Sequence, residues 1–405
     1  MRKYIFWLLL LPFIVYAESI EELIEKAIHN NPRLKAIENQ LKAYKQKQVY
    51  EGSLQDPVVN ISLNDIQLFY KPLSRNIEPM QTFNIGLSQK VPWLKKLKIK
   101  RKIVKNMYEE TFYKLQNEKL NIIFNIYTTA FRYWQIKEKL KIVKDYKNVA
   151  RHLIDFSNTL YSVGKVSQTA VFNAYTFYSK LLIKEENLKQ QRKSLIERLK
   201  YLSYSDIKEV SIKPKKPFKI SEDSKYIKKA YANNPFLLIF KTKEKESLER
   251  LKLAKLGYKP DFKFFASYSY RQGFRDYVSF GVSFNIPAWK KYRQDKKVLE
   301  EVFLLSKIKK ELQDAKNKVQ FEIKDTLYRI NSLYETYKIL NDYLLPQNQN
   351  VYESVISEYQ VGKKNIFDVL TSLNQILDVK LKLIDETADY NIALKKLMKL
   401  TGELK

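Results

Sequence analysis

The chain has 405 residues, 74 Lys and Arg against 44 Asp and Glu (net charge +30), two His, no Cys and eight Gly. Average usage would supply about 28 Gly, so the shortage argues against a loop-rich, glycine-punctuated enzyme and for long helices. The absence of Cys removes disulfides, thiolate metal sites and Cys nucleophiles together, and two His leave almost nothing for a metal or triad site, so most catalytic chemistry is excluded.

At the start, Arg2 and Lys3 precede an apolar run from Ile5 to Val15, and Val15-Tyr16-Ala17 forms a small-residue cleavage site before Glu18. Residues 1–17 are therefore predicted to be a cleavable export signal. A membrane anchor is the competing reading, but the run falls short of the roughly 20 residues needed to span a bilayer. With no Cys behind the signal, a lipid-modified N-terminus is excluded.

The rest of the chain reads as a tandem duplication. Ala27-Ile-His-Asn-Asn31-Pro32 recurs as Ala230-Tyr-Ala-Asn-Asn234-Pro235, and the next Pro follows at the same spacing, Pro57 or Pro260. Gly86-Leu-Ser-Gln-Lys-Val-Pro92-Trp93 matches Gly281-Val-Ser-Phe-Asn-Ile-Pro287-Ala-Trp289. Tyr161-Ser-Val163-Gly164-Lys165 matches Tyr359-Gln-Val361-Gly362-Lys363. The expected division is a first repeat at 18–210, a linker at 211–220 containing Lys213-Pro-Lys-Lys-Pro217, and a second repeat at 221–405.

Each repeat is expected to open with one helix of roughly 30 residues, in the first case starting at a Ser19/Glu22 capping box with Ile20, Leu23, Ile24, Ala27 and Ile28 as its buried stripe. A hairpin follows, at about 57–91 and 260–286. Val59, Ile61 and Leu63 alternate with Asn60, Ser62 and Asn64; Phe83, Ile85 and Leu87 with Asn84, Gly86 and Ser88; Val278, Phe280, Val282 and Phe284 with Ser279, Gly281, Ser283 and Asn285. Asp261 to Tyr270 repeats the pattern, broken only by Phe265. Such dyads suit a sheet lying on a core or a barrel wall between lipid and water. The export signal and the aromatic ends Trp93 and Trp289, placed as an interfacial belt would be, favour the barrel. Four strands cannot close a membrane barrel, so this reading requires an oligomer.

The longest helical stretches come next, about Leu94 to Leu160 and Lys290 to Glu358, the second interrupted at Pro346. At about 1.5 Å per residue the first would run roughly 100 Å, and its sustained apolar stripe implies coiled-coil packing. Both turn at Gly, near 164 and 362, and return as Ser167 to Leu202 and Asn365 to Leu400.

Taken in order and in duplicate, Asn30-Asn31-Pro32, Gln55-Asp56-Pro57, Gly86 to Trp93, Leu345-Pro346-Gln347 and Tyr359-Gln-Val-Gly362-Lys-Lys-Asn-Ile-Phe-Asp368-Val-Leu370 resemble the TolC-like outer membrane efflux proteins over essentially the whole mature chain. Glu78 to Trp93 looks most like the heavy-metal efflux branch. The resemblance implies a mainly α fold with a β-barrel portion: a homotrimer with a twelve-stranded barrel in outer membrane lipid and a helical tunnel in the periplasm. It further implies a passive conduit docked, through tips at Val163, Gly164, Lys165, Val361, Gly362 and Lys363, on a periplasmic adaptor and an inner-membrane pump.

The resemblance also assigns a pore gate to Asp368, Thr371, Tyr359, Lys364 and Thr169. Thr371 stands where many members carry a second Asp, and Ala170 where Lys364 would find its acidic partner. Asp368 has a plainer reading as a solvated or first-turn carboxylate of its helix. No cofactor and no metal site is expected: His29 and His152 stand alone, and Glu109-Glu110 and Glu185-Glu186 point to different helix faces. No enzyme and no nucleic-acid partner is expected. The alternative is a soluble, exported, basic coiled-coil protein that holds nucleic acid or an anionic surface.

Overall fold

The computed structural model describes residues 18–66, 68, 80–221 and 224–404; the expected export signal, together with Glu78 and Pro79 of the segment Glu78 to Trp93, lies outside them. The first half runs β1 (Glu18–Ser19), α1 (Ile20–Asn30), α2 (Pro32–Tyr50), β2 (Val58–Asn64), β3 (Thr82–Val91), α3 (Leu94–Ser162), α4 (Gln168–Ser203) and β4 (Val210–Ser211). The second runs α5 (Lys225–Asn233), α6 (Pro235–Lys255), β5 (Phe262–Tyr270), β6 (Tyr277–Phe284), α7 (Gln294–Ile339), a π-helical turn (Leu340–Leu344), α8 (Leu345–Gln360) and α9 (Ile366–Leu400). The chain is thus mostly helical with a small sheet, as expected. Its contacts gather into two compact units, and each unit draws on both halves of the sequence.

One unit comprises the described residues of 18–34, 117–234 and 318–404. The capping box starts α1 as the sequence indicates: the Ser19 hydroxyl accepts from the Glu22 backbone at 3.2 Å, and the Glu22 carboxylate accepts from the Ser19 backbone at 3.2 Å. The expected single opening helix, however, is two helices in each half. Asn31 is extended, and its side-chain oxygen accepts from the backbone of Arg33 at 2.8 Å and Leu34 at 3.3 Å, so it caps a new helix whose first residue is Pro32. Pro lacks the N–H that a first-turn residue leaves unused, so the Asn-Pro pair restarts the helix without loss. Asn234 repeats the break and donates to the Leu400 carbonyl at 2.9 Å.

The linker is strapped down. β4 pairs in parallel with β1, Asn391 exchanges hydrogen bonds with the backbone of Lys215 at 2.8 and 2.9 Å, Asn331 accepts from Ile220, and the Tyr390 hydroxyl donates to Phe218. Near Pro346 the second long helix is interrupted by the π turn, so α7 and α8 replace the expected single stretch. The wider turn accommodates the carbonyl that the proline cannot satisfy.

The other unit comprises the described residues of 35–116 and 235–317. Its four strands form one antiparallel sheet in the order β2-β3-β5-β6, so the two hairpins lie side by side through β3 and β5. Phe265, the exception to the alternation, sits opposite Gly281, where an added Cβ would come 2.2 Å from the phenyl ring. The glycine leaves room for that ring against the backbone. At the foot of the sheet Asp261 ties β5 to the start of α3: its carboxylate accepts from the Trp93 backbone at 2.9 Å and from Lys96 at 2.8 Å.

Candidate functional site

One face of the sheet is apolar and exposed. Val59, Ile61, Val278, Phe280, Val282 and Phe284 are all exposed, Phe280 to 81%. Alternation places the small and polar residues Asn60, Ser62, Asn84, Gly86, Ser267 and Ser279 on the opposite face. Among the described residues neither β2 nor β6 is paired along its outer edge, so the sheet is open and no barrel is closed within one chain. Trp93 is half-buried beside Phe262, with the Lys259 ammonium 5.9 Å from its ring centre, whereas Trp289 is exposed.

The two helical turns are built alike. Gly164 has φ +73° and donates to Tyr161, while Lys165 donates to Leu160; Gly362 has φ +78° and donates to Tyr359, while Lys363 donates to Glu358. Each is a helix end closed by a left-handed glycine, the conformation in which an L side chain is strained. Val163, Gly164, Lys165, Val361, Gly362 and Lys363 are all exposed.

The residues expected to form a gate are not alike in placement. Thr169, Lys364 and Thr371 are exposed, Asp368 is half-buried, and Tyr359 is only 2% exposed. Tyr359 packs edge-on to Phe156 and lies in a core with Val369, Leu373 and Leu377. Its hydroxyl reaches Ser157 at 3.4 Å. Asp368 forms a capping box: the Asn365 side chain accepts from its backbone at 3.1 Å, and its carboxylate accepts from the Asn365 backbone at 3.4 Å. Sequence reasoning weighed the first-turn role of Asp368 but missed the cap itself, although Asn-x-x-Asp is a readable N-terminal signal.

Further along the same helical hairpins, Lys147 and Lys189 bridge to Glu185, the latter at 3.0 Å, and these hydrogen bonds hold the Glu185 carboxyl below its usual value. Burial pushes the Tyr146 hydroxyl up to about 12, with Tyr352 adding to the effect. Burial also lowers Lys395 and Lys399, whose ammonium groups lie over Tyr127 and Phe124. Among the described residues no cluster of three or more His, Asp or Glu is placed to hold a metal ion, and no helix is long and apolar enough to cross a membrane.

No protein-family model and no curated protein matches the sequence. Solved structures do match it in fold. CusC, described with its folding and transmembrane channel formation, superposes with a TM-score of 0.83 over 96% of this chain and 93% of its own, at 13% identity. The outer membrane channel CmeC of Campylobacter jejuni gives 0.77 over 95% and 85%, at 15% identity. The open state of the outer membrane channel MtrE of Neisseria gonorrhoeae gives 0.78 over 95% and 89%, at 13% identity. The chain is built on the fold of outer membrane channels. That fold is the TolC-like one which the duplicated motifs indicate.

Proposed function

We propose that this protein is the outer membrane channel of a tripartite export system, a passive conduit and not an enzyme. One observation carries the reading: the open four-stranded sheet is apolar and exposed on one face and small and polar on the other. An exposed apolar face with two unpaired edges is stable in lipid only if the edges pair with further copies. Three chains supply twelve strands, with apolar residues toward outer membrane lipid and polar ones toward a water-filled lumen. The helical hairpins then form the periplasmic tunnel, and the two glycine turns meet an adaptor that couples to an inner-membrane pump. The gate falls to the tip residues Asp368, Lys364, Thr371 and Thr169, with Tyr359 holding the tip from inside. The export signal delivers the chain to the periplasm.

Carbonate-washed membranes test the reading. The protein should remain in the outer membrane fraction as a detergent-stable trimer, and Phe280→Arg should reduce the inserted trimer, since an arginine facing lipid near mid-depth costs about 2–4 kcal/mol. Recovery of the parent chain as a salt-extractable monomer would overturn it. Gly362→Trp should leave trimer yield intact and abolish export through the assembled system; undiminished export removes the adaptor role of that turn.

A further inference from the structure

The four strands contain two charged residues, Lys90 and Lys263, and no carboxylate. The two lysines are directly opposed across β3 and β5. Lys90 is in phase with Asn84, Gly86 and Ser88, and Lys263 with Ser267 and Ser269, which puts both on the polar face. Like charges directly opposed across a ladder destabilise the sheet, so folding gains nothing from this pair.

The surroundings do not neutralise it. A cavity of about 1040 Å³ at the foot of the sheet is lined by Lys90, Lys96, Lys100 and Lys263 among others. Lys96 is held by Asp261 at 2.8 Å and Lys100 is paired with Glu51 at 3.5 Å. Asp56 is the remaining carboxylate lining it, and it is exposed. The cavity therefore keeps an excess of positive charge, against walls that include Phe262 and Phe284. Low-dielectric walls focus such a field.

Resting on the channel reading above, we infer that Lys90 and Lys263 form an anion-attracting ring at the foot of the barrel, and that the cargo class this channel favours is anionic. Three copies place six ammonium groups around one lumen at a single height. A ring of one charge sign selects ions of the other. Solutes bearing carboxylate or phosphate would be concentrated there and cations of similar size held back.

Reversal potentials of the full-length channel in planar bilayers under a KCl gradient test this. Lys90→Gln with Lys263→Gln should lower the chloride-to-potassium permeability ratio of the parent channel by at least about twofold. Charge reversal at both positions, Lys90→Glu with Lys263→Glu, should carry the preference toward potassium. Step conductance in all three with one unchanged reversal potential overturns the anion ring and leaves the channel reading standing. Absence of step conductance from the parent protein overturns the channel reading itself, and the ring with it.

Discussion

The two tips share a turn and differ in what surrounds it. Val163-Gly164-Lys165 and Val361-Gly362-Lys363 close their helices with the same left-handed glycine and the same pair of backbone hydrogen bonds. Yet Tyr161 at the first tip is 47% exposed, whereas its counterpart Tyr359 is 2% exposed and belongs to the core between helices. The helix that follows starts at Ser167 without a side-chain hydrogen bond in one case and at Asn365 with a full capping box in the other. Ala170 stands where Asp368 does. The two share one turn geometry, and the second has in addition a buried anchor, a side-chain cap and a carboxylate. That asymmetry makes the second tip the better fixed of the two and the one able to bear an electrostatic task.

Removing the tyrosines should separate the two turns most. Tyr359→Ala should cost about 3–5 kcal/mol, the range for truncating a large buried aromatic, and Tyr161→Ala should stay within about 0.5 kcal/mol. Thermal unfolding of the helical signal checks both, and equal losses would mean that the two tips are equivalent after all. Gly362→Val and Gly164→Val come next. At neither glycine does an added Cβ meet anything within 4 Å, so the loss at each is backbone strain alone. Strain in the left-handed region is about 1–2 kcal/mol per residue, and the two variants should lose the same amount. A large difference between them would show that the shared turn is not the shared element.

The sequence reveals what is local and periodic. The strands were readable because alternation has a period of two, and the tips because glycine is scarce elsewhere in this chain. What escaped has other causes. Asn31-Pro32 and Asn234-Pro235 looked like interior helix positions because the apolar stripe continues past them, and only the capping bonds show that a second helix begins. The parallel pair β1 and β4 is two residues per strand and joins Glu18 to Val210, too short for any pattern and too distant for any turn signal. Asp261 reads as an ordinary strand-start carboxylate until Trp93 and Lys96 are seen bonded to it. Tyr359 was assigned a gate position by resemblance, and its burial depends on Phe156, which lies on another helix.

The two helix caps should differ by less. Asn365→Ala removes a cap that accepts a real hydrogen bond and should cost about 1 kcal/mol, while Ser167→Ala should cost close to nothing, both read as shifts in urea midpoint. The helices behind the tips differ in the same spirit: the first hairpin carries the Lys147–Glu185–Lys189 net, where the second has Leu383 at the position matching Glu185. Because the folded Glu185 pKa lies below its ordinary value of 4.5, its stabilisation is complete above that value and fades as pH falls through the lower folded pKa. The amount is about 0.2–1 kcal/mol, the range of ion pairs near a protein surface. Acid unfolding of Glu185→Gln should therefore show a shallower loss below pH 4.5 than the parent. Identical acid profiles would remove the net from the account.

The smallest expected change in stability is the most informative about function. Asp368 has two roles to separate, the helix cap seen in the capping box and the charge that three copies would gather around one axis. Asp368→Asn keeps an acceptor for the Asn365 backbone and should shift stability by only a few tenths of a kcal/mol, since both residues serve near a helix start. It removes the negative charge completely. If three carboxylates line a constriction, they attract multivalent cations, and the parent channel should be blocked when such cations are added at the tunnel end. The asparagine variant should then lose the block while retaining its open-state conductance and melting temperature. Asp368→Ala should lose the same block and in addition the carboxylate's long bond to the Asn365 backbone, while Asn365 still accepts from the backbone at position 368, so the cap itself is kept. Should the asparagine variant be blocked as strongly as the parent, Asp368 is a helix-capping residue only. The asymmetry between the tips would then be one of stability and not of charge, and closure would fall to the packing that Tyr359 organises.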